Sequence, residues 1–356
     1  MHGCPALFVR SRALALASIA VAVLGGSPAA AGWTEAIGVF QTHYAERLGE
    51  VEIRRSPNAG GTEIAITSPL LRGPGNEPVL LLHEGRRKDV IVLIHGLTDS
   101  PYYMRAIAER FFAAGANVVL PLLPAHGLLE PDEAFEDRDL AEKWKATTRH
   151  AVDVATLLGD RVSIGGLSTC GALSVYAALT DAERVNGGVF LFSAALSVGG
   201  FNEYAGSLSF LFGPIARARD RGLEGEGPNP YKYPRFSSYG GLQLTKLIRQ
   251  INRLEKKGGP TQRVFAAHSI HDEAAFPKGL AKLLRSKGTQ GVAVVAARNP
   301  AIEHASLVLE HDIELDPELM SGRKPPPTPR ANPAFDAMMS LALTFYRGLP
   351  EPHQTP

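Results

Sequence analysis

The chain is poor in cysteine, with only Cys4 and Cys170 in 356 residues. Cys4 lies in a terminal stretch with the marks of a removable leader. Cys170 would then stand alone in the remainder, so no internal disulfide is available even in an oxidising compartment. Charge of one sign is lacking too. Lys and Arg number 37 against 36 Asp and Glu, a net charge of +1, which offers no basic field for nucleic acid or for an acidic surface. Long hydrophobic runs are scarce. Beyond the first 31 residues none is long and apolar enough for a membrane span, which needs about 20 residues. Internal repeats and coiled-coil heptads are also missing. What the chain does have is 45% hydrophobic residues, ample for a large core. A mean hydropathy of -0.03 suits a soluble globular protein.

Arg10 and Arg12 precede the run "ALALASIAVAVLGG", and "SPAAAG" follows with Ala29 and Ala31 at small-residue cleavage positions. A basic start, a short apolar centre and an A-x-A end read as a secretory signal over residues 1–31. Cleavage after Ala31 would leave Gly32 and Trp33 at the mature start of an exported protein, periplasmic or extracellular. The alternative is an uncleaved membrane anchor, for which the run is short. Cys4 precedes the apolar run, on the wrong side for a lipidated cysteine.

Downstream, short β-branched runs alternate with helical patterns. "TEIAITSPLLR" and "PVLLLHEGR" read as early strands, and "DVIVLIHGL" as a buried strand without polar alternation, as in a parallel sheet. "PYYMRAIAERFFAAG" has helical spacing and a closing glycine, Gly115. The strand and loop "NVVLPLLPAHG", the amphipathic helix "DLAEKWKATTRHAVDVATLLG" and the strand "GGVFLFSAAL" continue the rhythm. It breaks from about Ser197 to Thr261, where Gly, Pro, Tyr and Arg precede a helical stretch. It resumes with "RVFAAHSIHDEAAF", "PKGLAKLLRSKG", "GVAVVAAR" and a last helix "AFDAMMSLALTFYRGL". This alternation predicts an α/β fold with a mainly parallel central sheet and helices on both faces. The domain reading is a leader (1–31), a first core part (32–196), an insertion (197–261) and a second core part (262–356). Such an insertion would sit above the carboxyl ends of the strands, where ligands bind.

The stretch "VSIGGLSTCGALSVYAAL", Val162 to Leu179, climbs an apolar strand to Gly165 and Gly166, presents Ser168 and runs on as a helix. Nucleophilic serine chemistry needs a histidine to take the proton, a carboxylate to orient that histidine, and N–H groups facing the developing oxyanion. Ser168 ends a strand, Asp272 follows "RVFAAHSIH", and His304 in "NPAIEHASLVL" follows the last strand. Each lies where a loop leaves the sheet. The N–H of Thr169 and the N–H of Leu97, in "HGL", are the candidate oxyanion donors.

"LIHGLTDSPYYMR", "LPLLPAHG", "GLSTCGALS", "HSIHDEAAFP" and "EHASLV" resemble, in this order, the signatures of α/β-hydrolase carboxylesterases and monoacylglycerol lipases. The resemblance runs from about Asp89 to the C-terminal helix. It implies an α/β-hydrolase fold with a cap inserted before the acid strand, and a Ser168–His304–Asp272 triad acting through an acyl-enzyme. It also implies a small-molecule or lipid ester as substrate and no cofactor or metal. A thioesterase, an amidase or another acyl-transfer enzyme shares that machinery, and a catalytically dead binding protein shares the fold.

The chain departs from the G-x-S-x-G pattern, since Cys170 stands at the second glycine and Gly171 comes one place late. Cys170 reads as a small apolar filler rather than as the nucleophile. Glu273 competes with Asp272, and His311 with His304. His95 and His126 read as loop-shaping or pocket-lining hydrogen-bonders. His268 and His271 suggest a metal site only weakly, because alternate strand faces separate them. Tyr204, Phe210, Phe212, Tyr231, Tyr233 and Phe236 either line an acyl pocket or fix the cap. Arg217, Arg219 and Arg221 read as a solvated face.

Overall fold

The computed structural model describes residues 28–198, 209–220, 227–297, 302–320 and 328–350. Side chains are described for the same residues except 28–32, 209–211, 290–297 and 320. The elements in chain order are α1 (Pro28–Leu48), β1 (Glu52–Asn58), β2 (Gly61–Thr67), β3 (Val79–Leu82), β4 (Arg87–Ile94), α2 (Arg105–Ala113), β5 (Asn117–Leu120), α3 (Asp132–Phe135) and α4 (Leu140–Leu158). There follow β6 (Gly159–Leu167), α5 (Thr169–Thr180), β7 (Val189–Phe192), α6 (Ser209–Asp220), α7 (Ser238–Glu255), β8 (Arg263–Ser269), α8 (Pro277–Leu284), β9 (Gln290–Ala297) and α9 (Phe335–Arg347).

The strands form one sheet in the order β1-β2-β3-β5-β4-β6-β7-β8-β9. From β5 to β9 in that order all neighbours run parallel. β1, β2 and β3 extend the β5 edge by antiparallel pairing. Strand alternation explains the continuous apolar runs. Val90, Val92 and Ile94 of β4 face the helix layer that contains α1, α4, α5, α7 and α8. Ile91 and Leu93 face the layer of α2 and α9. A strand buried on both faces has no polar side to show.

Four elements, α1, β1, α3 and α6, have no counterpart in the sequence reading. β1 is a mostly polar edge strand carrying Arg54, Arg55 and Pro57, composition that protects an exposed edge. α1 buries Ala36, Phe40 and Tyr44 against the core. The Leu122 N–H donates to the Tyr44 hydroxyl at 2.8 Å, and Arg47 donates to the Leu122 carbonyl at 2.8 Å. The expected cleavage point after Ala31 falls in the first turn of α1, and the leader before Pro28 lies outside the described residues. No described helix is long and apolar enough to cross a membrane.

The chain leaves β4 towards β5 on one side of the sheet and leaves β6 towards β7 on the other. The carboxyl ends of the neighbours β4 and β6 therefore frame a topological switch point, the place where open α/β sheets bind ligands. The segment between β7 and β8 supplies α6, a strap over 227–237 and α7. α7 packs on α4, α5 and α6. The Asp220 carboxylate at the end of α6 accepts hydrogen bonds from Ser237 Oγ and from the N–H groups of Ser238 and Tyr239, each at 2.8 Å. That holds a negative charge at the N-terminus of α7, where it is favoured.

Candidate active site

The turn from β6 into α5 is tight, and Ser168 sits in it at φ 55°, ψ -119°. A side chain at positive φ is strained unless the surroundings over-determine it. Here the Ser168 N–H donates to the Phe192 carbonyl at 3.0 Å, and its carbonyl accepts from the Ala195 N–H at 2.9 Å. Glycine is required on both sides of the serine. A Cβ on Gly166 would lie 2.8 Å from the carbonyl oxygens of both Cys170 and Ile94, and one on Gly171 would lie 2.5 Å from the Ala194 Cβ. The close approach that the late glycine has to allow thus falls on Gly171, while Cys170 is wholly buried in the apolar layer.

Two predictions follow from this turn. Gly171→Ala is expected to cost about 1–3 kcal/mol through overpacking, read as a lowered denaturant midpoint. Cys170→Ala is expected to keep full activity, and the native protein to resist iodoacetamide. Burial, reinforced by the charge of Asp99, pushes the Cys170 thiol well above its usual range, and a buried thiol is a poor nucleophile. Rapid alkylation of native protein, or inactivity of the alanine variant, would return Cys170 to the list of nucleophiles.

β8 ends at Ser269, and a turn closed by the Asp272 N–H and the Ser269 carbonyl (3.2 Å) brings Asp272 inward. The Asp272 side chain is fully buried. Its Oδ1 accepts from the N–H groups of Ala274 (2.9 Å) and Ala275 (2.8 Å), and its Oδ2 accepts from His304 Nδ1 at 2.6 Å. Burial alone would raise the carboxyl pKa. The His304 hydrogen bond and charge, the Ala275 N–H and the nearby His268 outweigh it, and the group lies below its usual value. Glu273 is exposed and makes no such contact with His304. With Nδ1 committed to Asp272, Nε2 is the ring nitrogen of His304 left for a reacting group.

Ser168, Thr169, Leu97 and His304 border one cavity of about 1160 Å³. Its walls are largely apolar, with Val198, Phe212, Leu242 and Leu244 among them. Ile215 (65% exposed) and Phe236 (62% exposed) stand at its rim. This size and lining suit an organic ligand rather than water alone. Of the six aromatics singled out from sequence, Phe212, Tyr233 and Phe236 border the cavity. Tyr231 instead stacks on Tyr102 with ring centroids 3.5 Å apart. Tyr204 and the Phe210 side chain lie outside the described residues. Arg219 borders the cavity, Arg217 lies over the Tyr239 ring, and Arg221 is outside the described residues.

His95, His126 and His268 have structural partners. His95 Nδ1 donates to the Gly96 carbonyl (2.9 Å) while its Nε2 accepts from the Leu123 N–H (3.2 Å), tying the loops after β4 and β5 together. His126 Nδ1 donates to the Pro124 carbonyl at 2.8 Å. Burial lowers His95 to about 4. His311 is exposed and borders a separate cleft. His268, buried, donates to the Ala275 carbonyl at 2.8 Å and braces the Asp272 turn. Among the described residues no group of three or more His, Cys, Asp or Glu is placed to hold a metal ion.

Sequence reasoning passed over Asp99 and Lys232, which form an ion pair at the cavity wall. They are 133 positions apart, and no local pattern joins them.

No family model matches the chain. A stretch of 88 residues is 32% identical to a thermostable monoacylglycerol lipase of Bacillus sp. (strain H-257), covering 25% of this chain and 34% of that lipase's length. Among solved structures, one from work on the metagenome-derived lipolytic enzymes LipS and LipT superposes with a TM-score of 0.59 at 21% identity, covering 77% of this chain and 98% of that one. A soluble variant of monoglyceride lipase from Saccharomyces cerevisiae gives 0.52 at 11% identity, covering 84% and 94%. A monoacylglycerol lipase of Paleococcus ferrophilus gives 0.50 at 15% identity, covering 73% and 96%. The chain has the α/β-hydrolase fold, and its resemblance is to the esterase- and lipase-like proteins of that fold.

Proposed function

We propose that the protein is a serine hydrolase of carboxylic esters, a carboxylesterase or lipase-like enzyme. The observation that carries this reading is the His304–Asp272 hydrogen bond of 2.6 Å in a cavity wall shared with Ser168, which sits on the strained turn between β6 and α5. In this reading His304 Nε2 takes the proton of Ser168 as Oγ attacks the ester carbonyl, and Asp272 stabilises the imidazolium. The N–H groups of Leu97 and Thr169 donate to the oxyanion. Thr169 opens α5, and the first N–H groups of a helix lack intrahelical partners. His304 returns the proton to the departing alcohol. Water, deprotonated by the same histidine, then releases the acid and frees Ser168. The chemistry needs no metal or cofactor. The size and apolar walls of the cavity favour an acyl chain or a lipid ester over a short polar one.

The test is a fluorophosphonate probe read by intact-protein mass spectrometry, followed by p-nitrophenyl esters graded by chain length beside matched thioesters and amides. One adduct on Ser168 and ester turnover support the reading. An adduct with turnover of thioesters alone would keep the machinery and change the bond. No adduct on folded protein would overturn it. Export is part of the proposal, supported by Arg10, Arg12 and the Ala29-Ala30-Ala31 end of the apolar run. A mature N-terminus at Gly32, found by sequencing the secreted or periplasmic protein, is the expected result.

A further inference from the structure

We propose that Lys232 is a positioning residue for the reaction proposed above. It neutralises Asp99 and so keeps the loop that carries the Leu97 N–H favourable to negative charge. The inference rests on that reading of the site.

The loop after β4 turns sharply at Gly96. The Asp99 N–H donates to the Gly96 carbonyl at 3.2 Å, and Thr98 has φ 68°. The turn folds the Asp99 carboxylate back onto Gly96, where an added Cβ would lie 2.3 Å from Asp99 Oδ2. Gly96 immediately precedes Leu97, so a carboxylate that is 3% exposed lies beside a proposed oxyanion donor. Its field reaches further. It acts on Cys170, two residues after Ser168, and on His95. Left alone, this charge would oppose the negative oxygen that an ester carbonyl becomes in the transition state, since charges at a desolvated site interact strongly.

Lys232 arrives from the inserted strap and forms an ion pair with Asp99. The two residues also make an isolated antiparallel bridge, and the Tyr233 N–H donates to the Thr98 carbonyl at 2.9 Å. Asn229 Nδ2 donates to the Tyr103 hydroxyl at 2.9 Å, and the Lys232 ammonium lies 5.6 Å from the Tyr103 ring centroid. The backbone bonds of the strap thus hold the cation in place independently of the ion pair. That leaves a charge role for Lys232 separable from a merely mechanical one.

The experiment measures kcat and KM on a p-nitrophenyl ester for the full chain and three variants, with thermal unfolding to show that each is folded. Lys232→Met leaves Asp99 uncompensated and is expected to lower kcat by about tenfold or more with little change in KM. Asp99→Asn breaks the same pair but leaves the opposite charge, and kcat is expected to hold or rise about twofold. The double variant, Asp99→Asn with Lys232→Met, should recover most of what Lys232→Met loses. A mechanical tie predicts instead that all three lose activity alike. Equal losses, or a Lys232→Met variant with wild-type kcat, would overturn the inference. Should Lys232→Met fail to fold, the Asp99→Asn and double variants still decide it, because a tie lowers both. Wild-type protein that neither labels at Ser168 nor turns over the ester would overturn the reading itself. Labelled, active wild type with variants moving alike overturns only the role of Lys232.

Discussion

Ser168→Ala is expected to lose ester turnover by a factor on the order of 10⁶ in kcat and to take up no fluorophosphonate, because it removes the proposed nucleophile and with it the proposed acyl-enzyme route. Folding should survive. The backbone at 168 is pinned to Phe192 and Ala195, and none of the hydrogen bonds that pin it uses the hydroxyl. The positive φ adds a second, independent expectation. Alanine keeps the strain of a Cβ at φ 55°, whereas glycine adopts that conformation freely. Ser168→Gly should therefore be more stable than Ser168→Ala by about 1 kcal/mol, read as a higher urea midpoint with equal inactivity. An alanine variant that retains turnover would remove Ser168 from the mechanism. A glycine variant that is the less stable of the two would mean that the turn is not strained.

Asp272→Asn is expected to lower kcat by about 10⁴-fold. The substitution keeps the volume but removes the charge that stabilises a protonated His304. It also offers an amide donor towards Nδ1, which favours the wrong tautomer. A pH experiment tests the same residue without substrate. The folded-state pKa of Asp272 lies below its ordinary value, so the unfolded chain binds the proton more readily. The stability Asp272 contributes is therefore complete above the unfolded pKa of about 3.9. It is lost as pH falls through the lower folded value. In Asp272→Asn that part of the acid dependence is missing. Urea midpoints taken stepwise from pH 6 down to about pH 3 should fall less steeply for the variant than for wild type. Parallel curves would mean that the His304–Asp272 pair does not hold the carboxylate in solution.

The parallel strands were legible because burial on both faces leaves an unmistakable signal. "VIVLI" of β4 and "VFLF" of β7 are apolar throughout and short. Ser168, Asp272 and His304 were legible as candidates because each follows such a strand. β1 was not, since an edge strand with two arginines and a proline looks like a loop, and its pairing with β2 is a tertiary fact. α1 was hidden by its neighbour, because the apolar leader dominates any reading of the first residues. The competition between Asp272 and Glu273 needed geometry. The turn after Ser269 buries the first and exposes the second, a difference of one position that sequence alone cannot decide. The burial of His268 beside Asp272 needed it too.

The strap over 227–237 bears on how anything enters the cavity. Its backbone is stitched to the loop after β4 through Tyr233 and Thr98, and its Tyr233 hydroxyl accepts from the Leu128 N–H at 2.8 Å. A door hung on those fastenings would tear out its own frame: swinging the strap away would also pull apart the loop that carries Leu97. Strap and loop therefore open together or not at all, and the amide proton of Tyr233 should exchange with solvent as slowly as those of the central strands. Ile215 of α6 and Phe236, near the end of the strap, stand exposed at the cavity rim, and an apolar ligand is expected to enter past them.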